Sequence, residues 1–130
     1  MDIIQVPVSP GEVLDKITIL EIKSERMSDE GKIANVKREL ELLQGAWLEA
    51  VEEDDTVRRI HADLKSINEA LWEIEDDIRD KERAKEFDQV FIDLARSVYV
   101  TNDQRANAKK ELNLYLGSEM VEEKSYQDYQ

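Results

Sequence analysis

VPVSPGEVLDKITILEIKSER, residues 6–26, decides how the rest of the chain is read. Ser9 has the character of an N-cap, Pro10 suits the first helical position, and Glu12 completes an S-x-x-E capping box. Together they predict a first helix from about Pro10 to Met27. Its aliphatic residues do not fall on one line. Val13, Ile17, Leu20 and Met27 make one stripe, and Leu14, Ile19 and Ile22 widen it, so this helix is expected to be flanked by more than one neighbour. The charges between them, Glu12, Asp15, Lys16, Lys23 and Arg26, read as a polar surface, with Glu12 and Lys16 at the favourable i,i+4 spacing.

Upstream, Ile4, Val6 and Val8 alternate around Pro7, which reads as a short extended segment over residues 1–8, confined to an edge and open to a partner chain or a helix groove. Downstream, SDEG at 28–31 breaks the first helix. Ile33, Val36, Leu40, Leu43, Trp47 and Ala50 then recur in steps of three and four and line a second helix. The acidic run EEDDT at 52–56 makes a turn, with Asp55 or Thr56 as the next cap. Val57, Ile60, Leu64, Ile67, Leu71, Ile74 and Ile78 continue the alternation, predicting a third helix over about 56–84, roughly 40 Å long at about 1.5 Å per residue. The short turn predicts that helices two and three pair as a coiled-coil-like antiparallel hairpin. Phe87, Val90, Phe91, Leu94 and Val98 give a fourth helix. TND at 101–103 is expected to stop it and start a fifth, which ends at Gly117. Residues 118–130 read as an acidic tail for which flexibility is expected, with Met120, Val121, Tyr126 and Tyr129 as candidates for docking. The expected fold is therefore all-α and a single domain: a long antiparallel hairpin, the first helix packed along it, and two shorter C-terminal helices.

Composition narrows the chemistry. The chain has 130 residues, 41% of them hydrophobic, with no cysteine and one histidine. Disulfides, thiolate-metal sites and thiol catalysis are excluded, and no His-rich metal site is available. His61 has no hydroxyl or cysteine motif nearby and reads as a surface or packing residue. No apolar run approaches the roughly 18–20 residues of a membrane span, and no signal peptide is apparent, so a cytoplasmic location without membrane insertion is expected. Thirty-one acids against eighteen bases give a net charge of −13, which opposes nucleic-acid binding. Residues 79–110 are the exception, with eight Lys or Arg against six Asp or Glu.

That basic segment supplies the candidate ligand site. Arg96, Tyr99, Asn102, Arg105 and Lys109, with Asp103, surround the expected junction of helices four and five, where unpaired backbone N–H groups suit a phosphate or carboxylate. The competing reading lets Asp103 cap those N–H groups and pairs Arg96 with Glu75 or Glu82. Glu49-x-x-Glu52 and Glu73-x-x-Asp76 match an acidic spacing that can hold magnesium in helical enzymes. An unbroken hairpin register separates the two pairs, so they read as solvated faces, and no metal or cofactor is expected. Trp47 and Trp72 flank the hairpin stripe and read as core or boundary residues, Trp72 also as a partner contact.

The opening block, together with LWEIEDDIRDKE, FIDLARSVYVTNDQRA and GSEMVEEKSY, resembles an uncharacterised bacterial family classed as a domain of unknown function. The resemblance spans nearly the whole chain. It implies a bacterial cytoplasmic protein, sometimes encoded beside genes for surface-polysaccharide assembly, and supplies no reaction. It includes charged positions at Glu12, Asp15, Lys16, Arg79, Arg96, Asp103 and Arg105, and the polar Asn102. The leading expectation is a protein-interaction or scaffold module, with a protein partner or self-association as a homodimer. The alternative is a small-molecule binding protein or enzyme for a phosphorylated or carboxylated metabolite. In that reading Arg96, Arg105 and Lys109 clamp an anion, and Tyr99 or a carboxylate transfers a proton.

Overall fold

The computed structural model describes residues 2–120, 123, 125 and 128. Four helices account for the regular structure among them: α1 (Pro10–Arg26), α2 (Glu30–Ala50), α3 (Asp55–Ala84) and α4 (Gln89–Tyr115). Each begins on a short oxygen-bearing side chain that accepts a backbone N–H three residues on: Ser9 from Glu12, Asp29 from Lys32, Asp54 from Val57 and Asp88 from Phe91. The cap of α3 is thus Asp54 rather than Asp55 or Thr56. None of the helices is long and apolar enough to cross a membrane.

Two of the expectations are corrected, one a pairing and one a helix boundary. The antiparallel partner of α3 is α4, not α2. Asp54 pairs with Tyr115, Arg59 with Glu111 and Lys81 with Asp88, which runs the two helices in opposite directions from a turn at Lys85. Lys85 takes the left-handed conformation, φ 58°, and the Glu86 N–H returns to the Lys81 carbonyl, closing α3 without a glycine. Meanwhile α2 packs along α1 and alongside neither α3 nor α4. The reason lies in the broad apolar stripe of α1. Leu14, Ile17, Leu20 and Ile22 are all buried, and α1 lies between α2 on one side and the α3–α4 pair on the other. Short turns made α2 and α3 neighbours in sequence; α1 separates them in space.

The second correction concerns α4, which is one helix of 27 residues where two were expected. TND lies inside it. Thr101, Ala108 and Leu112 are buried at steps of seven and four, a seam facing α1 and α3. Ending the helix at 101–103 would turn half of that seam away from the core, so burial outweighs the local preference of Thr, Asn and Asp for caps.

The core is small and lies toward one end of the molecule, where Leu14, Ile17, Trp47, Val57, Ile60, Leu64, Ala108 and Leu112 form one cluster. Along α3 the stripe loses burial: Val57, Ile60 and Leu64 are buried, whereas Ile67, Leu71, Ile74 and Ile78 are half-buried. At the core end α1 meets α4 very closely. The Gly11 N–H donates to the Asn113 side-chain carbonyl at 2.7 Å, and a Cβ on Gly11 would lie 2.7 Å from the Lys109 carbonyl oxygen. Asn113 is fully buried, and its NH2 group has no partner among the described residues.

Residues 2–8 form no strand. Ile3, Ile4, Val6 and Val8 remain exposed, so the segment covers no groove of its own chain. Of the tail candidates Met120 is half exposed, while Val121, Tyr126 and Tyr129 lie outside the described residues.

Candidate functional site

The junction proposed from sequence as an anion site does not exist, because α4 runs through it and offers no unpaired N–H groups there. Its five residues separate. Arg96 and Tyr99 are exposed and pair with each other, Nε to Oη 3.4 Å. Lys109 is buried and holds Glu12 at 2.6 Å. Asn102 and Arg105 alone face a common space. The basic excess of residues 79–110 does not produce a positive face either, since Lys81 holds Glu86 and Asp88, Arg83 lies by Asp80, and Lys85 by Glu82.

The charges of α1 divide among its three neighbours. Glu12 goes to Lys109 on α4, Lys16 to Glu39 on α2 at 2.7 Å, and Arg26 to Glu69 and Glu73 on α3. Glu12 and Lys16 therefore do not pair with each other. Asp15 is not on the surface at all. It is 3% exposed, and its carboxylate receives Arg105 through two guanidinium nitrogens, Nε at 2.8 Å. The Asn68 amide donates to it at 3.0 Å and to the Thr18 hydroxyl at 2.9 Å, and that hydroxyl donates to the Asp15 carbonyl at 2.7 Å. Three helices thus contribute to one buried polar network.

This network underlies a cleft of about 450 Å³ between α1, α3 and α4. Ile19, Ile22 and Lys23 line it from α1, Leu71, Trp72, Asp76 and Arg79 from α3, and Asn102 and Arg105 from α4. Arg105 is oriented by Asp15 below, and Arg79 is held by Glu75 at 3.1 Å on the rim. Among the described residues, Lys23, Asp76, Asn102 and the Trp72 indole N–H make no ion pair or side-chain hydrogen bond. The wall therefore carries an ammonium, a carboxylate, an amide and an indole with unused hydrogen-bonding capacity beside an aromatic face, the usual equipment of a small-molecule site. No group of three or more His, Asp or Glu among the described residues is arranged to hold a metal ion.

Sequence reasoning missed Asn68, Thr18 and Arg79 as site residues. A signal was present, because Asn68 interrupts the apolar seam between Leu64 and Leu71, and Asp15 and Thr18 share a face with Ile22. Polar residues on a buried stripe require partners, and among the described residues these bond to one another. His61, elsewhere, bonds to Glu21 at 2.8 Å across the α1–α3 contact, and this bond holds the Glu21 carboxyl below its ordinary range against the opposing effect of burial.

Fold and site together define an all-helical protein with a cleft between three of its helices, lined by both apolar and polar side chains. The chain matches the model of a family of unknown function, DUF6165, over residues 4–129, and it belongs to that family. No curated protein and no solved structure matches it.

Proposed function

We propose that this protein binds a small phosphorylated or carboxylated metabolite in the cleft between α1, α3 and α4. One observation carries the reading: Lys23, Trp72, Asp76 and Asn102 converge from three helices on one cleft with their polar groups unengaged among the described residues. Arg79 and Arg105 are already held by carboxylates, so Lys23 is the cation available to an anionic group. The flat face of Trp72 suits a ring or alkyl portion, and Asp76 and Asn102 suit hydroxyl or amine groups on it.

The test is a thermal-shift screen with inorganic phosphate, sugar phosphates, nucleotides and dicarboxylates. A compound at about 100 times its dissociation constant adds roughly 2.7 kcal/mol, or about 10 °C for a chain of this size. The shift should vanish in Lys23→Ala and Asn102→Ala, and Trp72 emission should respond to the same compound. A panel with no shift, or a shift that both variants retain, refutes the reading.

A second reading, the protein-interaction or scaffold module expected from sequence, is favoured by a separate observation. α2 runs along α1 and reaches the common core through Trp47, and Leu42 and Leu48 are exposed on it.

A further inference from the structure

The outward side of α2 has an order that suits one partner in particular. Arg38, Leu42, Gly45 and Glu49 follow one another at steps of four, three and four, so they form a single stripe along the helix. All four are exposed, Leu42 by 57%, and a Cβ on Gly45 would meet nothing within 4 Å. Arg38 makes only a 3.4 Å contact to Asn35 on its own helix, and Glu49 makes no ion pair among the described residues. The stripe thus presents a cation at one end, an anion at the other, and an apolar knob beside a gap at its centre.

We propose that two copies of this chain associate through α2 in an antiparallel, two-fold arrangement. Arg38 of each copy faces Glu49 of the other, and Leu42 of each is seated over Gly45 of the other. Two-fold symmetry makes every such contact occur twice, so the pattern has to be complementary to its own reverse, and it is. The parallel arrangement sets Arg38 against Arg38 and Glu49 against Glu49, and like charges exclude it. Net charge favours the same face. The whole chain carries −13, whereas residues 30–50 hold four acids, Glu30, Glu39, Glu41 and Glu49, and three bases, Lys32, Lys37 and Arg38, a net of −1. Two copies meet there with little mutual repulsion. α2 contributes no residue to the cleft, so self-association leaves that site open.

The inference rests on the interaction reading and gives it a partner and a register. Sedimentation equilibrium of the full chain, at low and high salt, tests both. The wild type is expected to show a monomer–dimer equilibrium that weakens with salt. Leu42→Asp, Arg38→Glu and Glu49→Arg should each weaken it by about tenfold or more. The double variant R38E/E49R should recover the dimer. An equimolar mixture of the two single charge variants should form a mixed dimer, because both ends of the stripe are then acidic in one chain and basic in the other. A wild type that stays monomeric at all concentrations overturns the interface and self-association with it, and leaves the interaction reading only a partner other than this chain. A dimer indifferent to the single variants, or charge variants not rescued by the double or by mixing, overturns the interface while leaving self-association through another face.

Discussion

Replacing Gly11 with alanine should destabilise this protein, although in an ordinary helix interior the same change stabilises by up to about 1 kcal/mol. The added Cβ would lie 2.7 Å from the Lys109 carbonyl oxygen and 3.0 Å from the Asn113 side-chain oxygen. The first neighbour is backbone and cannot rotate away, so α1 and α4 must separate by several tenths of an ångström. Overpacking of this kind costs about 1–3 kcal/mol. Separation also lengthens the 2.7 Å bond from the Gly11 N–H to Asn113, a fully buried side chain whose NH2 already lacks a partner among the described residues, and losing it costs about 1–3 kcal/mol more. Against the helix-propensity gain, the net loss is about 2–4 kcal/mol, a fall in Tm of about 10 °C. Urea unfolding followed by circular dichroism measures it directly. Gly45→Ala is the comparison, since its Cβ meets nothing within 4 Å; at concentrations too low for association it should gain about 0.5–1 kcal/mol. If Gly11→Ala is as stable as the wild type, α1 and α4 do not approach as described. Asn113→Ala should not rescue Gly11→Ala, because the Lys109 carbonyl contact remains.

Three further outcomes follow from the buried network, the course of α4 and the Glu21–His61 bond. Arg105→Ala should cost about 3 kcal/mol or more, because Asp15, 4% exposed at its side chain, is left buried without its guanidinium partner; Asp15→Asn should cost less, because Arg105, 30% exposed, can turn to water. Equal losses in urea unfolding would contradict that asymmetry. Asn102→Pro should cost about 3 kcal/mol or more in the middle of α4, whereas two helices divided at Thr101 would tolerate proline there as a first helical residue. Glu21 has a lowered carboxyl pKa in the folded state, principally through its bond to His61, so its contribution to stability is present above its unfolded value of about 4.5 and is lost as pH falls through the folded value. His61→Ala should therefore flatten the fall of Tm on acidification across that window, and an unchanged acid limb would count against the bond.

Much of the helical content is a local property and was legible in the chain. Ser9, Pro10 and Glu12 mark the start of α1, and the succession of seven apolar positions from Val57 to Ile78 marks α3, because capping and amphipathic period depend on residues within a turn or two. The same locality explains the error at TND. Thr101, Asn102 and Asp103 have the chemistry of a cap, and only the distant seam formed with Ala108 and Leu112 keeps the helix continuous. Burial of that seam is a property of α1 and α3, not of the three residues themselves.

Pairing and site geometry belong to the tertiary structure. A stripe tells which face of a helix is covered and leaves open what covers it, so α2 and α3 were equally compatible with each other and with α1. The width of the α1 stripe, from Val13 to Ile22, already required two neighbours; the packing decided that α1 stands between them. Asp15 shows the limit most plainly. Its type and its place among charged residues suggested surface, whereas 3% exposure and the guanidinium of Arg105, ninety residues away, make it the base of the cleft. Sequence by itself determined where the helices begin and which faces are apolar, because short-range hydrogen bonds and side-chain period set both. Which helices meet, and which polar groups their meeting buries together, was decided by contacts between residues far apart in the chain, whose energies exist only after the backbone has closed around them.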